Sequence, residues 1–335
     1  MCERANAQAC PACSNPALQS SEKLEAGIDT LHKGTFRTTL NVTNGYGYQG
    51  GHPERTQFSA SGQLVEGGLH EHSVELDFFR IELSLEHTFK TNWSLWLRIP
   101  YDIKIQRVGV SFTDNFTEQE KEDIVRNRDI HHRGETYNGI SDLRLFAAHR
   151  FNKFLGDKAR LDVAIGTSLP LGKTEKNPLL AGQRAEKHLH IQFGTGTFDP
   201  LIELHYVTGL SKRVSLALFT INKVPFYVNN HDYQGPLETT SGIGLGVSLS
   251  KWLSLRASFA NFSQSQAKWN GVKDPNSGLI SFNGTIMVSF KLLKGLSITP
   301  GYRFPIYQQT VSDEGDTFTY GPTFVLNASY AFTKN

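Results

Sequence analysis

Three cysteines and twelve histidines are the residues of this 335-residue chain best suited to hold a metal or exchange electrons. Cys2, Cys10 and Cys13 all fall in the first 13 residues, and Cys10-Pro11-Ala12-Cys13 is a C-x-x-C pair. That spacing suits a disulfide, a thiolate metal site or thiol exchange. Ser14 follows Cys13, so the C-x-x-C-H pattern of covalent haem is absent. Three thiols are one ligand short of a closed zinc site, and a lipid-bearing Cys2 is a further alternative. In an oxidising compartment a disulfide is the first expectation. Among the histidines, His70-x-His72 and His188-x-His190 stand out. On extended backbone each pair puts both imidazoles on one face, where zinc or copper binds, although solvated loop histidines are the plainer reading. His72 adjoins Ser73, but neighbours on a strand point opposite ways, so no hydrolytic triad forms there and an enzyme is not expected. Gly242, Gly244 and Gly246 share one strand face with no helix after them, which fits close packing rather than a phosphate loop.

The elements that carry these residues are strands. Lys plus Arg is 34 and Asp plus Glu is 32, a net charge of +2 without a basic block, so nucleic acid is not an expected partner. No apolar run approaches the roughly 18 to 20 residues of a membrane helix, which leaves a membrane β-barrel open. From residue 33 onward the dominant period is two. Trp93, Leu95, Leu97, Ile99, Tyr101, Ile103 and Ile105 alternate with Ser94, Trp96, Arg98, Pro100, Asp102, Lys104 and Gln106. Stripes through Leu161 to Leu169, Leu253 to Phe259 and Phe318 to Phe332 repeat the pattern, and in residues 74–86 the phase slips at Phe78-Phe79, as a β-bulge would produce.

Twelve such segments are expected, near 33–48, 73–89, 92–107, 139–151, 158–170, 195–208, 212–226, 237–249, 252–264, 277–291, 294–308 and 317–332. Short links fall at Thr91, 152–157, Leu210, Ser250-Lys251 and Leu292-Leu293, while 49–72, 108–138 and 171–194 are long. Short turns at one end, long loops at the other and an even strand number predict an all-β chain, a transmembrane antiparallel up-and-down β-barrel of about twelve strands. Aromatics near the stripe ends, such as Trp93, Tyr101, Trp252 and Tyr330, suit the two lipid interfaces. The expected organisation is a cysteine-bearing tail over 1–32 and a barrel over 33–335, in a Gram-negative outer membrane after removal of a leader that residues 1–18 do not show. Outer-membrane lipid and small solutes are the expected partners, with the tail offering a surface to a periplasmic one.

With the apolar stripes facing lipid, the alternate positions face the lumen. By parity these include Arg37, Glu75, Asp77, Arg80, Glu82, Glu86, Arg98, Asp102, Lys104, Asp142, Arg144, Arg150, Arg160, Asp162, Asp199, Glu203, His205, Arg256 and Arg303. Charges of both signs in so confined a space must pair. Twelve strands lie between a filled eight-stranded barrel and a wide sixteen-stranded porin, so the expectation is a narrow, charge-lined passage for passive movement of small solutes. The competing reading is a salt-bridge network that fills the barrel, or a lumen closed by ion pairs or by the tail in a metal-binding or partner-binding protein. No cofactor is expected apart from a metal ion at the cysteines or loop histidines. Thr117-Glu118-Gln119-Glu120 is a capping-box pattern that predicts a short helix in the loop after the third strand, folded inward or lying outside.

Three segments, Gly139-Ile140-Ser141-Asp142-Leu143 leading to Arg150-Phe151, Gly194-Thr195-Gly196-Thr197-Phe198-Asp199-Pro200 and Leu97-Arg98-Ile99-Pro100, carry a family resemblance. With the strand layout, the chain resembles the outer-membrane barrel family named as transporters of the phenol meta-degradation pathway. The resemblance covers most of 33–332 and implies a barrel and uptake of aromatic compounds. It implies no substrate site, because the matching residues read as strand and turn positions.

Overall fold

The computed structural model describes residues 33–58, 63–131, 133–177, 184, 186–187, 192–312 and 317–333. Alternation of side-chain polarity fixes the strands. In β3 (Trp93–Phe112) Ser94, Trp96, Arg98, Asp102 and Lys104 are buried inside, while Trp93, Leu95, Tyr101 and Ile105 stand outside. Before it run β1 (Thr35–Phe58) and β2 (Leu64–Lys90). After it come β4, split into Glu135–Ile140 and Leu143–Asn152, β5 (Ala159–Leu169), β6 (Pro200–Gly209) and β7 (Val214–Lys223). The wall continues through β8 (Glu238–Ser248), β9 (Leu253–Gln264), β10 (Leu279–Leu293), β11 (Leu296–Thr310) and β12, split into Thr317–Thr319 and Thr323–Thr333.

Each strand pairs antiparallel with the next, and β12 returns to β1 in register from Thr35↔Thr333 to Gly45↔Thr323. The sheet is a closed twelve-stranded barrel. Closure leaves no edge with unpaired backbone, which a wall in lipid requires. The turns at one end are tight. Asn92 takes a left-handed φ of 64°, and Gly295 at 82° tolerates no Cβ, which would run into the Ala331 carbonyl. No described helix is long and apolar enough to cross a membrane, and the crossing is made by strands.

Seven outward apolar positions run along β3 from Trp93 to Ile105. Twelve residue steps at ~3.3 Å, tilted by about 40°, give a band roughly 30 Å tall, close to a bilayer's hydrocarbon thickness. Directly above it the outer surface turns polar. Arg107 reaches Glu75 at 3.3 Å and Asp77 at 2.8 Å on the exposed face. Glu75 and Asp77 therefore face outward, against the parity expected from a slip at Phe78-Phe79. β2 pairs with β3 without a break from His70↔Phe112 to Thr88↔Ser94. The bulge lies instead in β1, between Gly45↔Phe78 and Tyr48↔Leu76, where Gly47 has a φ of 64°.

Three more boundaries differ from the sequence expectation. Residues 49–72 are mostly strand, because β1 and β2 continue above the band as one hairpin whose two faces are both polar enough to read as loop. Residues 195–199 are not strand, since β6 starts at Pro200, and the last tight turn is Lys294-Gly295 rather than Leu292-Leu293. The helix α1 (Glu118–His131) starts on the predicted box: the Glu120 amide donates to Thr117 Oγ1 at 3.3 Å, and the Thr117 amide donates to the Glu120 carboxylate at 2.8 Å. It contacts β1 and buries Ile124.

Candidate functional site

The interior is built in layers by strand parity. At the long-loop end it is apolar: Tyr48, Leu76, Phe78, Tyr137, Phe193, Phe262, Leu279, Phe318 and Tyr320 form one buried cluster. Phe318 and Tyr320 point inward because the break at Gly321-Pro322 shifts the phase of β12, so that Phe324, Leu326, Tyr330 and Phe332 point out. No charge pattern in the sequence marked this apolar layer.

Below it lie the charges, and many of them pair. Arg98 of β3 reaches across the lumen to Glu203 of β6 with two parallel bonds of 2.6 and 2.7 Å, and His205 Nε2 lies 3.1 Å from the same carboxylate. The Arg98 guanidinium also sits 4.7 Å from the ring of Phe146, beside Trp96. Arg80 grips both oxygens of Asp102 at 2.5 and 2.7 Å, and Ser141 Oγ donates to that carboxylate as well. Arg144 stands 3.6 Å from Glu82, Arg37 3.4 Å from Glu86, and Asp162 takes Arg150 at 2.6 Å with Arg160 at 3.8 Å. Arg303 is buried on the inner face of β11, and Lys223 reaches Asp199 at 3.7 Å. Lys223 and the buried Glu238, which accepts from Gln264 at 3.1 Å, were absent from the expected set although both sit at inward positions at strand ends.

Part of the lumen is filled by chain rather than by wall. The segment after β5 folds inward, so that Phe193, Thr195, Thr197 and Asp199 are buried. Asp142, half-buried at the break in β4, holds it by accepting the Thr195 amide at 2.8 Å, the Thr195 hydroxyl at 3.2 Å and the Gly172 amide at 2.9 Å. Lys104 donates to the Gln192 carbonyl at 2.9 Å, with its ammonium 4.8 Å from the Phe193 ring. The Thr195 and Thr197 hydroxyls donate to Asp199 at 2.7 and 2.6 Å, and the Ser141 amide donates to the Pro100 carbonyl at 3.0 Å. Residues of the three sequence segments of the family resemblance thus meet here, through Pro100, Ser141, Asp142 and Thr195.

Cavities lie beside this segment and farther down the lumen. One of about 100 Å³ lies beneath the apolar layer, lined among others by Phe78, Arg80, Lys104, Phe193, Glu203 and Glu238. The other, about 350 Å³, opens at the tight-turn end and is lined by Arg37, Arg160, Arg256 and Lys291 with serine and threonine hydroxyls. His70 and His72 sit on the inward face of β2 at the long-loop end, opposite Glu54 and His52. Cys2, Cys10, Cys13, His188 and His190 lie outside the described residues.

No protein-family model matches the chain, and no curated protein matches it. Among solved structures it is similar to an outer membrane channel from Pseudomonas putida F1, with 10% identity, 90% of this chain and 96% of that chain covered, and a TM-score of 0.56. The likeness is one of fold. A FadL homologue from Pseudomonas aeruginosa aligns at 12% identity over 91% of each chain with a TM-score of 0.42.

Proposed function

We propose that this barrel is an outer-membrane channel for passive uptake of small solutes, aromatic compounds carrying a carboxylate or hydroxyl in particular, and that the segment 192–199 is its constriction. The observation that carries the reading is an inward-folded segment that lines the upper cavity and is tied to the wall through Asp142, so that opening needs a loop to move and leaves the wall intact. The aromatic surfaces of Phe78, Phe193, Phe146 and Trp96 suit a planar ring on the way in. The basic lining of the lower cavity draws an anion through toward the periplasm. The sequence resemblance to the phenol-pathway transporters agrees with this choice of solute.

Conductance of the full chain in planar bilayers tests it. Hydrogen bonds to a charged group contribute ~1.5–3 kcal/mol each, so removing the Asp142 carboxylate should raise open probability at least about tenfold. Wild type should give rare discrete openings that small aromatic acids block. Asp142→Ala should open often, with Asp142→Asn between the two. A silent Asp142→Ala barrel that is folded by its electrophoretic mobility would overturn the reading.

A further inference from the structure

We propose that the outer end of the β1–β2 hairpin is a binding site for a divalent transition-metal ion, held by His52, Glu54 and His72. It stands apart from the passage reading, since its residues lie above the apolar band and its test reads metal, not transport. The ladder places them. His52 pairs directly with His72, and Glu54 with His70. Because strand side chains alternate, His52 and Glu54 share one face of β1 and His70 and His72 the same face of β2. The result is a two-by-two patch of three imidazoles and one carboxylate, with cross-strand neighbours close enough to share an ion.

The distances suit a small cation. His52 Nε2 lies 3.6 Å and His72 Nε2 3.8 Å from the same Glu54 oxygen, and the three ligand atoms are all within 4.8 Å of one another. With metal bonds of about 2.0–2.1 Å, a tetrahedral site has ligand-to-ligand edges of about 3.3 to 3.4 Å, so closure needs shifts of a few tenths of an ångström on the two Glu54 edges and of up to about 1.4 Å between the histidine nitrogens. His70 is the neighbour able to supply a fourth ligand, its ring centroid 5.1 Å from that of His72. Its Nδ1 faces the Gly68 carbonyl at 3.1 Å, and a carbonyl only accepts, so Nδ1 carries the proton and Nε2 keeps its lone pair. Phe116 packs edge-on against that ring. His70 and His72 are almost fully buried, whereas the Glu54 side chain is 32% exposed and leaves a way in. Two imidazoles and a carboxylate favour Zn²⁺, Co²⁺, Ni²⁺ or Cu²⁺ over Ca²⁺ and Mg²⁺, which prefer all-oxygen shells.

The probe is Zn²⁺, titrated calorimetrically into the full-length, tag-free protein in detergent. A Cys2→Ser, Cys10→Ser, Cys13→Ser background removes the competing thiols. One equivalent should bind and weaken as pH falls through about 6.5, where imidazoles protonate. His52→Ala and His72→Ala should each cost more than the roughly 10- to 100-fold that loss of an outer-shell partner costs, while His231→Ala changes nothing. Co²⁺ loaded in place of Zn²⁺ should show visible ligand-field bands of a nitrogen and oxygen site without thiolate charge transfer. Where an alanine variant fails to fold, His72→Gln and Glu54→Gln give the same comparison. Binding of one equivalent that survives both histidine substitutions, or the absence of any binding that they diminish, would overturn the assignment.

Discussion

Replacing Glu203 with Gln should unfold the barrel far more readily than replacing Arg98 and Glu203 together with apolar residues. The pair is a two-pronged bridge at 2.6 and 2.7 Å, with Arg98 at 2% and Glu203 at 1% exposure. Glu203→Gln leaves the guanidinium in place, buried and facing an amide that can accept only part of what it donates, with Phe146 and Trp96 as its other neighbours. Stranding one member of a buried pair costs about 3–5 kcal/mol, whereas exchanging both for side chains of similar volume is neutral or stabilising by about 1–4 kcal/mol. Arg98→Met with Glu203→Leu should thus lie at or above wild type, and each polar single variant well below it. Reversible urea unfolding from lipid vesicles, followed by tryptophan fluorescence and by heat-modifiable electrophoretic mobility, reads the difference. Single variants within about 1 kcal/mol of wild type would mean that the lumen solvates these charges and that the bridge is incidental. A double variant as unstable as the worse single would mean that packing around Trp96, not charge, holds the middle of the barrel.

Other perturbations test the membrane boundary, the bulge and the helix cap. Ile99→Arg, in the middle of the outer band, should cost about 2–4 kcal/mol in the same titration, whereas Arg107→Leu, above the band, should leave the midpoint almost unchanged. Equal costs would remove the boundary drawn at Arg107. Gly47→Val puts a β-branched residue at a φ of 64° and should lower the unfolding midpoint by an amount equivalent to at least ~1 kcal/mol, while Gly47→Asn should be mild. Thr117→Ala should speed amide exchange at the start of α1 by the equivalent of about 0.5–2 kcal/mol. Glu120 accepts the Thr117 amide and hydroxyl, which holds its acid below the usual 4.5. Its support for the cap is therefore complete above that value and lost as pH falls through the lower one, so amide protection there should drop in acid and should not drop further in Glu120→Gln.

Where the sequence contrasts apolar with polar at every second residue, the structure follows it closely. β3 is the clearest case, because lipid on one side and paired charge on the other make opposite demands on neighbouring residues. That contrast inverts above the lipid. Leu76 and Phe78 are inside while Glu75 and Asp77 meet water, so an unbroken strand reads as a phase slip, and the outer part of β1 and β2 reads as loop. The reverse happens in β12, where Phe318 and Phe324 look like one stripe but the Gly321-Pro322 break turns them to opposite sides. Parity reads much of the inner charged set, but it puts Glu75 and Asp77 inside and misses Lys223 and Glu238. Partnership it does not read, since Arg98 and Glu203 lie 105 residues apart. The constriction was hidden more deeply still. Asp142 holds Thr195 largely through a backbone amide 53 residues away, and no alternation of side chains announces a bond of that kind. His70-x-His72 was visible as a pair, but His52 and Glu54 became its complement only once the hairpin ladder placed them opposite.

The inward segment hangs largely on side chains, Asp142, Lys104, Ser168 and Asn229 among them, which separates how the lumen is filled from how the barrel wall is built. The wall's hydrogen bonds run from strand to strand around the ring, and none depends on Asp142, which sits in a gap between two strand pieces. If the segment gates a passage as proposed, substitutions at that position or at Thr195 would change leakiness while assembly in the membrane proceeds as before. The same independence predicts that hyperpermeable variants will be found among cells that still fold and insert the protein at normal levels.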